Sequence, residues 1–264
     1  MSVAPVSRAA APALAAPLHL AYVLRLADTS LILAQRLGEW IGHAPALEED
    51  LGLGNLALDF LGQARLLLTH AGSIEGAGRS EDDLAFFRSE GEYRNLTLVE
   101  QPNGDFAQSI VRQFFIDAWQ VPLFEALQSS ADAQLAAIAA KSLKEALYHR
   151  RFSSHWLVRL GDGTEESHRR AQAALDSLMR FTPEMFAADE IDSASLAAGV
   201  GADLNAVQSA WQAEVAAIVK QATLTLPQAS PGAPAGKRGE HSEPFGYLLA
   251  EMQHLPRSFP GASW

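Results

Sequence analysis

Apolar residues recur every three to four positions through four segments too long to serve as the helices of a small compact fold. In the first, about Pro17 to Gly42, Leu18, Tyr22, Leu26, Leu33, Leu37 and Trp40 carry the repeat. The second opens at about Ala46 with "EED", where the helix dipole favours negative charge, runs through "LALDFLGQARLLLTHAG" and stops near Gly72. The third covers about Asp105 to Ser129, with Phe106, Ile110, Phe114, Asp117 and Val121 near one stripe and a kink expected at Pro122. The fourth, about Asp132 to Leu160, ends at "GDG". Helices of 25 to 29 residues are roughly 40 Å long at about 1.5 Å per residue. Rods of that length bury their stripes only by lying side by side.

The connections decide how they do so. "GHAP" is a tight break between the first two helices, whereas residues 73–103 form a charged, Gly-bearing crossover with one short helix at "SEDDLAFFR". Two hairpins joined by a long crossover describe a ferritin-like bundle rather than an up-down bundle. Further helices are expected at about 164–181 and 203–222, then a Pro/Gly/Ser-rich linker at 227–240 and a short amphipathic tail. The expectation is an all-α, ferritin-like four-helix bundle with additional C-terminal helices, spanning 17–264 behind a disordered leader at 1–16.

Composition narrows the function. Lys and Arg total 20 against 31 Asp and Glu, a net charge of -11, which disfavours general binding to nucleic acid or anionic membranes. There is no cysteine, so disulfides, thiolate metal sites and cysteine nucleophiles are excluded, and a reducing, cytoplasmic setting fits. No apolar run reaches the roughly 18–20 residues of a membrane span, and the leader lacks the apolar centre of a secretory signal.

A bundle of this kind raises the question of metal. Carboxylate-bridged di-iron bundles take a Glu from each of two helices and a Glu-x-x-His from each of the other two. Here the helices offer Glu39, then Asp59 and Gln63, then Asp117, then Glu145 and His149. The spacing in the last pair is four rather than three, a single His stands where two are needed, and Gln63 is a poor iron ligand. His43 and His70 lie at helix ends. These six residues are therefore expected to form a vestigial polar centre, its charges paired with Arg36, Lys144 or His149. The one literal Glu-x-x-His, Glu165 to His168, opens a helix whose first turn should be acidic anyway. No Gly-x-Ser-x-Gly elbow or phosphate loop is present, and Ser153, Ser154 and His155 lack a convergent acid. Lys237, Arg238, His241 and Glu243 read as solvated loop charges, with an anion or interface contact as the alternative. Trp40, Trp119, Trp156 and Trp211 read as core.

Four blocks carry a resemblance: "LILAQRLGEWIGHAPALEEDLGLGNLALDFLGQARLLL", "RNLTLVEQPNGDFAQSIVRQFFIDAWQ", "AAIAAKSLKEALYHRRFSSHWLVRLGDGTEESHRRAQAAL" and "GYLLAEMQHLPRSFPGASW". They resemble the structural C subunits of bacterial phenylacetyl-CoA epoxidases over roughly residues 17–264, loosely at 182–240. The resemblance implies a ferritin-like fold without catalytic, cofactor-binding or metal residues of its own. It implies a catalytic A subunit holding two irons, a small B subunit, and a reductase with FAD and an iron–sulfur cluster fed by NADPH. It also implies epoxidation of the aromatic ring of phenylacetyl-CoA during aerobic phenylacetate breakdown. The crossover and the 237–264 tail, with Phe86, Phe87, Tyr93, Phe245, Tyr247, Phe259 and Trp264, are the expected contacts to the partner, and a homodimer is a further possibility. The competing readings are a di-iron oxygenase in its own right and a stand-alone helical binding protein.

Overall fold

The computed structural model describes residues 13–228 and 235–262, so residues 1–12 of the expected leader, and Trp264, lie outside the described residues. Ten α-helices and no strand occur among the described residues. The bundle is made of α1 (Ala16–Glu39), α2 (Leu47–Glu75), α5 (Phe106–Leu127) and α6 (Ala133–Gly161). The crossover carries α3 (Glu81–Phe86) and α4 (Thr97–Glu100). Beyond the bundle follow α7 (Glu165–Leu178), α8 (Glu190–Ala197), α9 (Leu204–Gln221) and α10 (Glu243–Ser258). The hairpins α1–α2 and α5–α6 pack most extensively within themselves, and α2 against α6 joins them.

Local chemistry sets the ends. Asp105 caps α5 by accepting from Gln108 N, and Asp132 Oδ1 caps α6 by accepting from Gln134 N and Leu135 N. Gly76, in the left-handed region at φ 69°, ends α2 one turn beyond the expected stop. α5 continues through Pro122 as one helix. Glu165 to His168 is the first turn of α7, closed by a Thr164–Ser167 capping box, with His168 Nδ1 2.7 Å from Gly161 O. Trp119 and Trp211 are buried, Trp211 donating to Phe115 O, while Trp40 and Trp156 pack at the core edge.

The crossover and the tail are held down by buried carboxylates, which corrects the reading of Lys237 and His241 as solvated charges. Glu100 accepts from Asn95 Nδ2, Ser242 N and Ser242 Oγ, and lies 2.6 Å from His241 Nδ1. Glu184 accepts from Thr97 N, Thr97 Oγ1 and Lys237 N. Lys237 Nζ reaches Asp192 Oδ2 at 2.7 Å, on the same carboxylate that faces Arg25. The carboxylates satisfy backbone N–H groups that a buried loop would otherwise leave unpaired. Gly236 lies so close to Asn95 O that a Cβ there would collide with it. Arg238 and Glu243 stay exposed.

Candidate functional site

Asp59 and Gln63 on α2, and Glu145 and His149 on α6, are each four apart on helices that run antiparallel, so the two pairs meet in order. Gln63 Nε2 donates to Glu145 Oε2 at 3.3 Å, and His149 Nε2 lies 3.0 Å from Asp59 Oδ2. Lys141, one turn before Glu145, donates to it at 2.9 Å, in place of the expected Lys144. From α5, Gln120 Nε2 donates to Gln63 Oε1, while Asp117 accepts from Gln113 Nε2 at 2.6 Å and from Ser153 Oγ at 2.7 Å. The structure thus brings five of the six expected polar residues onto one level of the bundle.

Glu39 is the exception. It accepts from Arg36 Nη1 at 2.8 Å and lies 3.5 Å from Asn103 Nδ2, hydrogen-bonded to none of the other five. Leu31 and Leu61 line the same outer groove, so Gln63 is level with about residue 30, and Glu39 stands roughly 14 Å further along at about 1.5 Å per residue. At the level of Gln63, α1 buries Thr29, Ser30 and Leu33.

Burial dominates the electrostatics. With hydroxyl and amide donors but no cation bonded to it, the Asp117 carboxyl is pushed up to about 8. Burial also holds the His149 imidazole below its usual range, against the pull of Asp59. Gln113 Oε1, Gln120 Oε1 and His149 Nδ1 are buried without a partner. A flip of the Gln113 amide would give protonated Asp117 an acceptor.

These residues do not fit a di-iron centre. Gln63 is an amide, Glu145 is engaged by a lysine, and Asp59 faces His149. Their ligand atoms do not converge: among the described residues, only His19, His70 and Asp132 bring three within 4.8 Å of one another. Ser153 faces Asp117, Ser154 bonds back to Arg151 O and His155 is exposed, so no nucleophile is assembled there. Sequence reasoning missed Gln113 and Gln120, although both lie on the same stripe as Asp117.

A titration follows from Asp117. Its folded-state value lies above the roughly 3.9 of an unfolded aspartate, so stability should fall by up to about 1.4 kcal/mol per pH unit from pH 4 towards pH 8. Asp117→Asn keeps both hydrogen bonds after the Gln113 flip and should remove that slope, leaving the variant more stable than wild type at pH 8. Urea unfolding at pH 5 and pH 8 measures this. Equal pH dependence in the two proteins would rule out the carboxyl as its source.

The second feature is an apolar groove of about 550 Å³ between the outer faces of α1 and α2. Ile41, Leu51, Leu58 and Leu61 line it, with Phe86 of α3 and Met252 of α10 at the rim. Leu51, Leu58 and Leu61 are 59%, 66% and 47% exposed, and Leu47 is also exposed. Of the aromatic contacts expected from sequence, Tyr93 and Phe245 are instead fully buried, pairing edge-on at 5.6 Å, whereas Phe87, Tyr247 and Phe259 are exposed. Among the described residues no helix is long and apolar enough to cross a membrane.

Two long hairpins joined by a packed crossover define a ferritin-like helical protein, and the chain belongs to the phenylacetic acid catabolic protein family, whose model matches residues 6–264. Over 244 residues, 92% of this chain, it is 54% identical to the C subunit of the 1,2-phenylacetyl-CoA epoxidase of Escherichia coli (strain K12), of which the match covers 98%.

Proposed function

We propose that this chain is the non-catalytic structural subunit of a multicomponent di-iron monooxygenase that epoxidises the aromatic ring of phenylacetyl-CoA. The observation that carries this is the combination of near full-length identity to the C subunit of an epoxidase with a bundle centre whose ligand atoms do not converge. Its role is mechanical. It docks a catalytic A subunit that holds the two irons and keeps that partner's helices in register. A small B subunit joins the assembly, and a flavin and iron–sulfur reductase supplies electrons from NADPH. The setting is the cytoplasm.

The face offered to the A subunit is the α1–α2 groove. α2 buries one row of leucines in the bundle and leaves Leu47, Leu51, Leu58 and Leu61 exposed, an apolar strip suited to a partner. The rim residues Phe86 and Met252 come from the crossover and the tail, so both segments expected to make contact reach the groove edge.

The test is co-expression with a catalytic A-type chain. The two should co-purify with iron bound to the partner, and this chain purified alone should carry far less than one iron per molecule. About two irons per isolated chain, lost in Glu145→Ala and His149→Ala, would make it an oxygenase in its own right. Failure to co-purify would leave a stand-alone binding protein.

A further inference from the structure

Three helix ends meet at one corner of the bundle, each bringing a metal-ligating side chain. His19 lies in the first turns of α1, His70 near the end of α2, and Asp132 is the N-cap of α6. His19 Nε2 lies 2.7 Å and His70 Nε2 2.6 Å from the same oxygen, Asp132 Oδ2. The other oxygen, Oδ1, is committed to the N-cap bonds from Gln134 and Leu135, which fixes the carboxylate plane and leaves Oδ2 to the two imidazoles. The rings stand edge to face with centroids 5.9 Å apart.

We infer that His19, His70 and Asp132 form a binding site for one divalent transition-metal ion of the zinc class. Two imidazole nitrogens and one monodentate carboxylate oxygen are the three-ligand set of an open zinc site, and the fourth position is left to water. Imidazole donors select zinc, cobalt and nickel over magnesium and calcium. Ligand atoms around a tetrahedral ion at about 2.0–2.1 Å stand roughly 3.3 Å apart, so each imidazole would retreat by roughly 0.7 Å. His19 has room to do so, since 20% of its side-chain surface faces solvent, and an ion has an entry path on that side. The ion would replace the two hydrogen bonds that now converge on one oxygen, stapling α1, α2 and α6 at residues far apart in sequence.

The test is titration of the metal-free full-length chain with Co²⁺, read by its d–d absorption, followed by displacement with Zn²⁺. One equivalent with tetrahedral band intensity is expected, with an upward shift in thermal midpoint. His70→Ala and Asp132→Asn should each weaken binding by more than the roughly 10–100-fold that loss of a second-shell partner costs. Asn is as good an N-cap as Asp, so Asp132→Asn keeps α6 capped and isolates the loss of the ligand charge. His19→Ala, at the solvent edge, serves as a second variant whose folding is at low risk. No stoichiometric binding, or binding unchanged in all three variants, would overturn the site and leave a metal-free hydrogen-bonded clasp. Binding lost instead in Glu145→Ala and His149→Ala would place the ion in the bundle centre, overturning this site and the non-catalytic reading together. The site's failure alone leaves the subunit reading intact.

Discussion

Replacing Asp28 with leucine should cost about 3–5 kcal/mol of stability, the loss expected when one partner of a buried ion pair is removed. Asp28 on α1 is fully buried, and the guanidinium of Arg88 in the crossover is buried with it. Arg88 Nη1 reaches Asp28 Oδ2 at 3.0 Å and Glu92 O at 3.1 Å, Nη2 meets Asp28 Oδ1, and Nε donates to Leu84 O. Arg94 N donates to the same carboxylate at 2.8 Å. The guanidinium also lies over the Tyr93 ring at 4.2 Å. A leucine at position 28 leaves a buried cation with no counter-charge and a backbone N–H with no acceptor. That penalty is a large share of the roughly 5–15 kcal/mol that holds a typical domain together. The Asp28→Leu, Arg88→Met double variant should be more stable than the two single losses predict, by about 0.5–3 kcal/mol of coupling. Urea unfolding of wild type, both singles and the double measures all four corners. A single-variant loss below about 1 kcal/mol would mean that water reaches the pair and that the crossover is not anchored through it.

That anchor shows where the sequence is readable and where it is not. The four bundle helices are legible because a 25-residue apolar repeat has one way to be buried, and their ends fall within a turn or so of the expected ones. The facing of Asp59 and Gln63 with His149 and Glu145 is legible for the same reason: equal spacings on antiparallel helices bring the pairs into register. Glu39 is not, because its place depends on the phase of α1 and on where Arg36 and Asn103 draw it. α4 and α8 are short, and their position depends on distant partners: the α8 cap Asp189 is bonded by Arg25, and Thr97 at the start of α4 by Glu184. Glu100 and His241 are 141 positions apart, a separation at which composition carries no signal. The corner formed by His19, His70 and Asp132 is hidden in the same way. The distance of His70 from the bundle centre excludes it as a di-iron ligand, but that distance carries no information on which other helix ends meet it.

The groove, by contrast, has a signal in the sequence. Leu53, Leu56, Phe60 and Leu67 supply the buried side of α2, while Leu47, Leu51, Leu58 and Leu61 lie exposed. Leucines on both sides of one helix are a signature of a second partner, and they lead to the second large effect. Leu51→Glu and Leu58→Glu together should abolish co-purification with a catalytic A-type chain. Each buried apolar anchor at the centre of an interface is worth about 2 kcal/mol or more, roughly 30-fold in affinity, and a buried, unpaired glutamate adds its own desolvation cost. The same substitutions should leave the isolated chain within about 0.5 kcal/mol of wild type, since both side chains already face solvent there. Affinity capture and urea unfolding on the same preparation separate the two effects. Tyr148→Glu, at an exposed position of α6 away from the groove, is the control and should bind as wild type does. Light scattering of the isolated chain completes the test. If the double variant still captures the A-type chain but converts a dimer to a monomer, the groove belongs to a second copy of this chain. The catalytic partner would then have to be sought on the exposed aromatics Phe87, Tyr247 and Phe259.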